Sequence, residues 1–134
     1  MWPSTYEDRL AEWSSLKTSC HHDAVPAQYM KINNWWFRCP LVNRSITWSK
    51  WPNPWQLLQQ DGHCDLARSL GMLYTLMFIA TDIDVEIVHC DLGNLVLVEQ
   101  GKYIMNWAPG ELLNIQSLSL TVINRVNGSD LFTF

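Results

Sequence analysis

The segment that decides the fold is PWQLLQQDGHCDLARSLGMLYTLMFIA, residues 54–80. Its QDG tripeptide is typical of a loop, and the residues that follow are apolar at helical spacing. This spacing predicts a helix from Cys64 to Ile79. Cys64, between His63 and Asp65, therefore lies where a turn becomes a helix. A thiol at that junction can be a buried core residue, a metal ligand or a nucleophile.

Length and charge narrow the class of protein. A chain of 134 residues predicts a single domain, residues 1–134. The formal net charge is -4 and the nine Lys and Arg residues are scattered, which argues against a nucleic-acid partner. The longest apolar segment, residues 70–80, is too short to cross a bilayer, so no membrane association is expected.

The first residues and the cysteine spacing indicate the cellular compartment in which we expect the protein. The first residues are acidic and lack the apolar core of a secretory signal, so we expect a cytoplasmic protein, with a virion as the other possibility. The four cysteines are expected to be free thiols in a reducing compartment. They form no C-x-x-C pair, and neither a metal nor a cofactor is predicted.

Eight tryptophans are unusual for this length, and five of them fall between residues 35 and 55. Indoles carry a large buried area, which favours large aromatics of the core. The alternative is a stacking or groove-lining surface. Trp55 and the adjacent Gln56 precede the helix start and are candidate binding residues.

The first half of the chain predicts little regular structure. Residues 4–17 start with a Ser/Thr cap and acidic residues and continue with one apolar face, which predicts a short helix. Residues 19–54 contain β-prone pieces broken by Asn and Pro. We expect an irregular segment there, with short strands near 28–32 and 35–38, ended by Pro52 and Pro54.

The second half predicts an antiparallel sheet. VEIVHC (85–90) alternates and is β-branched, LVLVE (95–99) is apolar throughout, and KYIMNW (102–107) follows the turn residues QG. SLSLTVINRV (117–126) predicts a further strand, and LFTF (131–134) an edge. The fold class is therefore α+β, with the helices packed on one side of an antiparallel sheet.

The lengths of the predicted helix and of the strand after it place polar residues near the start of the helix. The helix rises about 24 Å at 1.5 Å per residue, and the next strand must run back along it, so His89 returns near Cys64. A two-residue turn at Gln100–Gly101 brings Asn94 and Asn106 together at the open end of the hairpin. Buried polar groups need partners, and a helix N-terminus favours a thiolate.

Residues 48–110 resemble the core of the transglutaminase-like (papain-type) cysteine enzymes. The similarity lies in the order of a Trp/Pro segment, GHC at the start of an apolar helix, and a strand followed by a hairpin. The resemblance implies that Cys64 takes the place of the nucleophile and Asn106 that of the Asp or Asn that orients the base. It also implies a transglutaminase-like core and amide chemistry.

The histidine of this family falls on Asn94, and an amide cannot accept a proton from a thiol. His89 could supply the imidazole from the neighbouring strand end. His63 could supply it from the helix start, although its ring is expected to point away from Cys64. The third alternative is a catalytically silent member of the fold.

CHHD, residues 20–23, contains three adjacent potential metal ligands. Neighbouring residues rarely all face one ion, and a zinc site would need Cys39 or the HCD tripeptides at 63–65 and 89–91. A solvated loop is the prediction favoured by this spacing.

Two functions remain open from the sequence. One is a divergent, catalytically inactive domain that binds a protein or peptide, as a phage or host-interaction protein would. The other is an enzyme in which Cys64, His89 and Asn106 hydrolyse or transfer amide or isopeptide bonds, with Trp55, Gln56 or backbone N–H groups stabilising the oxyanion.

Overall fold

The computed structural model describes residues 1–43, 50–80 and 82–131. Its helices are α1 (Tyr6–Cys20), α2 (Val25–Phe37), α3 (Pro54–Leu58) and α4 (Asp65–Ile79). Its strands are β1 (Val85–Cys90), β2 (Gly93–Val98), β3 (Tyr103–Ala108), β4 (Glu111–Leu113) and β5 (Val122–Asn127). The predicted α+β class is confirmed, while the finer transglutaminase-like core stays a prediction.

The five strands form one antiparallel sheet in the order β4-β3-β2-β1-β5. The first four strands form a meander. β5 returns to the other side of β1, so the strand predicted over 117–126 is shorter and forms one edge of the sheet. A short strand, β4, follows β3 and pairs with it at the other edge of the sheet. The edge predicted for LFTF lies outside the described residues from 132 onward.

The β2–β3 hairpin has the register that the turn residues predict. Val98 pairs with Tyr103, and Val96 with Met105. Glu99 and Gln100 both adopt positive φ, and Gly101 follows with φ +89°, which gives the turn a left-handed backbone.

Helix α2 replaces the short strands that the sequence predicts near 28–32 and 35–38, and that prediction is wrong. Tyr29, Ile32 and Trp36 recur at helical spacing and are all buried. Their β-prone side chains suggested strands, but packing against α4 decides the conformation. Pro26, in the first turn, is compatible with a helix start.

Helix α3 also departs from the expectation that Pro52 and Pro54 end regular structure. Pro54 is the first residue of α3, where its missing N–H costs nothing. Asn53 caps the helix: its side chain accepts from Gln56 N at 2.8 Å, and Gln56 Oε1 accepts from Asn53 N at 2.8 Å. This reciprocal capping box stabilises a single turn.

The helix α4 predicted over 64–79 is confirmed, and it packs between the sheet and the other helices. Gly71 allows the close approach of α2, because a Cβ there would lie 2.4 Å from the Trp36 ring. Thr75 Oγ1 accepts the indole N–H of both Trp13 and Trp36 at 2.9 Å and donates to Gly71 O. Several of the tryptophans are therefore core residues.

The sheet buries both faces. One face contacts the helices through Val85, Ile87, Val96, Val98 and Met105. The opposite face carries a second cluster covered by the segment after β4, and the residues of that cluster and its cover are Val88, Cys90, Leu95, Leu97, Ile104, Leu113, Ile115, Leu118 and Leu120. The helix-facing side is the one that positions the polar site described next.

Candidate functional site

Cys64 is the N-cap of α4. Its Sγ accepts the backbone N–H of Ala67 at 3.4 Å, and its side chain is half-buried. The thiol lines a cleft of about 560 Å³ together with Leu41, Val42, Asn43 and Asp65. The cleft wall is fixed because Val42 N donates to His63 O at 3.0 Å and His63 N to Pro40 O at 2.9 Å.

Asp65, the first residue of α4, connects the helix to the sheet. Its carboxylate accepts the backbone N–H of Asn94 at 2.9 Å and the side-chain amide of Asn94 at 3.1 Å. Gly93 permits this approach, since its φ is +108° and a Cβ there would lie 2.8 Å from Asp65 Oδ2. Two bonds to one carboxylate fix the start of β2 against the start of α4.

His89 lies directly opposite Asn94 in the β1–β2 pair. Its Nδ1 is 3.2 Å from Asn94 Oδ1. The amide orientation follows from the Asp65 bond, which needs the NH₂ group, so Oδ1 faces the ring and Nδ1 carries the proton. The described contacts thus join His89 to Asn94, and Asn94 to the residue after Cys64.

Asn106 brings β3 into the same network. Its Nδ2 donates to Asp65 O at 3.0 Å and to Asn94 O at 2.7 Å, while its Oδ1 accepts from Arg68 Nε at 2.6 Å. Its backbone N donates to Asn33 Oδ1 at 2.9 Å. The carboxamide reaches the helix side because φ is +68° at Asn106, within a register shift of β3.

Arg68 is the cation of the site, one turn after Cys64. Its guanidinium stacks over the Phe37 ring at 3.9 Å. Burial lowers the pKa of Arg68, while the charges of Asp65, Cys39 and Cys64 act in the opposite direction. Arg68 and Asn33 were not among the residues predicted from the sequence. A charged residue one turn after the cysteine in an apolar helix was the available signal for Arg68.

The other predicted binding residues lie elsewhere. Trp55 packs against Trp13 and Phe78, near the last turn of α4. Gln56 lines a separate cleft of about 610 Å³ with Trp51, Gln59 and neighbouring residues. The structure therefore joins His89, Asn94 and Asn106 in one hydrogen-bonded network with Asp65, the residue after Cys64. Trp55 and Gln56 lie outside this network.

The structure also gives the contacts of three other residues that belong to the His- and Cys-containing motifs of the sequence. The ring of His63 is buried between Trp2 and Trp36, and its Nε2 is 2.7 Å from Leu57 O. Asp91, from the second HCD tripeptide, accepts from Thr121 N at 3.0 Å next to the start of β5. Asp23 of the CHHD segment pairs with Lys31 at 2.6 Å.

Across residues 1–43, 50–80 and 82–131, no three His, Cys, Asp or Glu side chains come together as a metal-binding group. In the same residues, no helix has the length and apolar character needed to span a bilayer. No protein-family model matches the chain, and comparisons with curated proteins and with solved structures likewise find no match. The arguments about function therefore come from the site alone.

Proposed function

We propose that this protein is a binding or assembly module on a transglutaminase-like scaffold without catalytic turnover, and that it holds a protein or peptide segment at the Cys64 cleft. The observation that carries the proposal is Asn94, at the position where the resemblance to transglutaminase-like enzymes implies a histidine base. The carboxamide is bound between Asp65 at 3.1 Å and His89 at 3.2 Å. It holds the helix to the sheet and cannot take a proton from a thiol.

The remaining polar groups of the site serve the same structural purpose. Asn106 uses both amide hydrogens and its oxygen within the protein. A satisfied buried network of this kind rigidifies its surroundings. The cleft above it consequently has a fixed floor, which lowers the entropic cost of binding a partner.

The cleft wall fits a peptide. Leu41 is 67% exposed there, beside Val42 and Asn43, and forms a parallel bridge with His63. An apolar side chain next to a carboxamide suits a segment that offers an apolar anchor and backbone polar groups. Asp65 adds the only carboxylate among the lining residues described for this cleft.

The binding test uses selection of peptides from a displayed random library on the immobilised protein. Leu41→Asp places a charge in the cleft wall and is expected to weaken the selected peptides at least tenfold in calorimetry. Leu92→Asp is the matched control, because Leu92 is an exposed leucine (44%) on the β1–β2 turn. Equal binding by the two variants would contradict the proposal.

A thiol enzyme is the second candidate, favoured by the half-buried Cys64 thiol at a helix N-terminus. In this reaction Sγ attacks an amide carbonyl, and a thioester forms as the amine leaves. Water or a second amine then displaces the thiol. Asn94 Oδ1, bound to His89 Nδ1, would leave Nε2 of the imidazole as the nitrogen that takes the thiol proton.

Alkylation by iodoacetamide as a function of pH separates the two candidates. Cys20, Cys39 and Cys90 are buried and would react slowly regardless of activation, so free glutathione is the better reference thiol. Without a base, the rate at Cys64 should rise with pH as it does for glutathione. An inflection near neutral pH, absent from His89→Gln, would favour the enzyme.

A further inference from the structure

Leu41 pairs with His63 through the residues on either side of it and not through its own backbone groups. In this parallel bridge Val42 N donates to His63 O at 3.0 Å, and His63 N donates to Pro40 O at 2.9 Å. Successive residues of an extended chain turn their N–H and C=O groups alternately to opposite edges. The N–H and C=O of Leu41 therefore face away from His63.

The backbone groups of Leu41 are open to an incoming chain. Within residues 1–43, 50–80 and 82–131, no described hydrogen bond uses the N–H or the C=O of Leu41. Leu41 is also 67% exposed, so solvent reaches this edge of the bridge. Backbone donors and acceptors left at the edge of a paired segment are a template for a further extended chain.

The edge at Leu41 lacks the devices that protect strand edges. Such edges commonly carry charges, prolines or bulges. Strand β5, an edge of the main sheet, has both a register shift and the charged Arg125. Residues 41–43 carry neither a charge nor a proline. Pro40 precedes them, but its carbonyl accepts from His63, so the donor that proline lacks belongs to the paired edge.

We infer that Leu41 binds an extended peptide by strand addition, along the outer edge of its bridge with His63. One peptide N–H donates to Leu41 O, and one peptide C=O accepts from Leu41 N. This binding mode rests on the function proposed above and specifies how the peptide is held, because residues 41–43 also line the Cys64 cleft. Strand addition obtains affinity from main-chain hydrogen bonds and specificity from alternate side chains.

The exposed side chain of Leu41 determines the chemistry of the partner. Residues directly opposite each other in paired strands project to the same face, where apolar pairs stabilise the pairing. The peptide residue opposite Leu41 is therefore apolar, and β-branched or aromatic side chains suit an extended strand best. Its two neighbours in the peptide project to the other face and do not contact the Leu41 side chain.

The test is an N-methyl scan of the tightest peptide from the library selection, measured by calorimetry on the wild-type protein. Methylating the one nitrogen that donates to Leu41 O should weaken binding at least tenfold, because the donor is lost and the carbonyl is left unpaired. Methylating the nitrogens immediately before and after it should leave the affinity nearly unchanged, since they point to the opposite edge of the peptide. Uniform loss or uniform tolerance along the peptide would overturn strand addition.

Amide hydrogen exchange gives a second readout within the protein. The N–H of Leu41 should exchange at least tenfold more slowly when the peptide is saturating, because the peptide C=O then accepts it. The N–H groups of Val42 and His63 are already bonded within the bridge, so their exchange should change much less. Unchanged exchange at Leu41 in the saturated complex would also overturn strand addition.

A matched pair of variants removes the donor from the protein. Leu41→Pro lacks the outward N–H, whereas Leu41→Ala keeps it, and both lack the leucine side chain. Leu41→Pro should bind the peptide at least tenfold more weakly than Leu41→Ala. Slow exchange of the His63 N–H shows that the bridge is intact in each variant. If Leu41→Pro loses the bridge, the N-methyl scan on the wild type decides.

Failure of strand addition can be told apart from failure of the proposed function. A peptide that Leu41→Asp weakens and Leu92→Asp does not, but that shows no dependence on position in the N-methyl scan, keeps the cleft and excludes strand addition. If no selected peptide depends on Leu41, neither survives. A wild-type dimer that binds no peptide and that Leu41→Pro dissociates would place a second copy at this edge and would likewise exclude a peptide partner.

Discussion

Both oxygens of the Asp65 carboxylate are bound by Asn94, through its backbone N–H at 2.9 Å and its side-chain amide at 3.1 Å. This pair joins the first residue of α4 to the start of β2. Residues 29 positions apart are thus held by charge-assisted hydrogen bonds, which are stronger than those between neutral groups. The stability of the site depends on this carboxylate.

Asp65→Asn should destabilise the protein by about 2 kcal/mol, because an amide replaces the charge and presents N–H groups to the donors of Asn94. Asp8→Asn is the control: Asp8 also lies in the first turn of a helix, but it is exposed. It should lose only the helix-dipole contribution, about 0.5 kcal/mol. Urea unfolding measures both. Equal losses would mean that the Asn94 bonds contribute nothing.

The positive φ of Asn106 can be separated from its carboxamide bonds. Asn106→Gly and Asn106→Ala both remove the bonds, but only glycine accepts φ +68° without strain. The alanine variant should therefore be about 1 kcal/mol less stable than the glycine variant. Gln100, with φ +61° in an exposed turn, gives the same comparison without buried contacts. If the alanine variant were as stable as the glycine variant, the positive φ at residue 106 would cost no free energy, contrary to this prediction.

The hydroxyl of Thr75 satisfies two buried indoles. Thr75→Val keeps the shape but leaves the N–H groups of Trp13 and Trp36 without this acceptor, at a cost of about 3 kcal/mol. Thr75→Ser keeps the hydroxyl and loses only a methyl group, about 1 kcal/mol. Denaturant unfolding, read by tryptophan fluorescence, should rank valine below serine. The reverse order would show that the methyl group matters more than the hydroxyl.

Burial raises the pKa of Tyr74 from 10.0 to about 12. Because the unfolded chain ionises first, stability should fall as the pH rises from about 10 to about 12, by about 2 kcal/mol in total. Tyr74→Phe should flatten that part of the profile. Tyr29, whose pKa burial also raises, keeps some dependence in the variant. Absorbance titration at high pH gives the ionisation, and an unchanged profile in Tyr74→Phe would contradict this assignment.

The sequence predicts those elements in which one period extends over many residues. Helix α4 and the β2–β3 hairpin follow directly from apolar spacing and a turn. Helix α2 was missed because Tyr29, Ile32 and Trp36 have β-prone side chains, and only contact with α4 reveals which period matters. Helix α3 escapes prediction because a proline can mark either the end of an element or the first residue of a helix, and Pro54 is the latter.

The sequence predicts those parts of the candidate site that depend only on which residues pair between neighbouring strands. The convergence of Asn94 and Asn106 follows from the hairpin, and His89 lies opposite Asn94 because a short turn joins β1 to β2. The left-handed backbone at Asn106 depends on the bulge in β3, which no local pattern signals. The packing of Trp55 against Trp13 and Phe78 likewise depends on how α1, α3 and α4 meet, which no local pattern signals.

The position of β5 has a consequence for synthesis of the chain. β1 pairs with β2 almost immediately in sequence, but its other neighbour begins only at Val122. During translation the outer hydrogen-bonding groups of β1 therefore wait for more than thirty residues without their native partner. An unprotected strand edge is a template for intermolecular pairing, so nascent chains stalled within that interval should be the most aggregation-prone species that this gene product passes through.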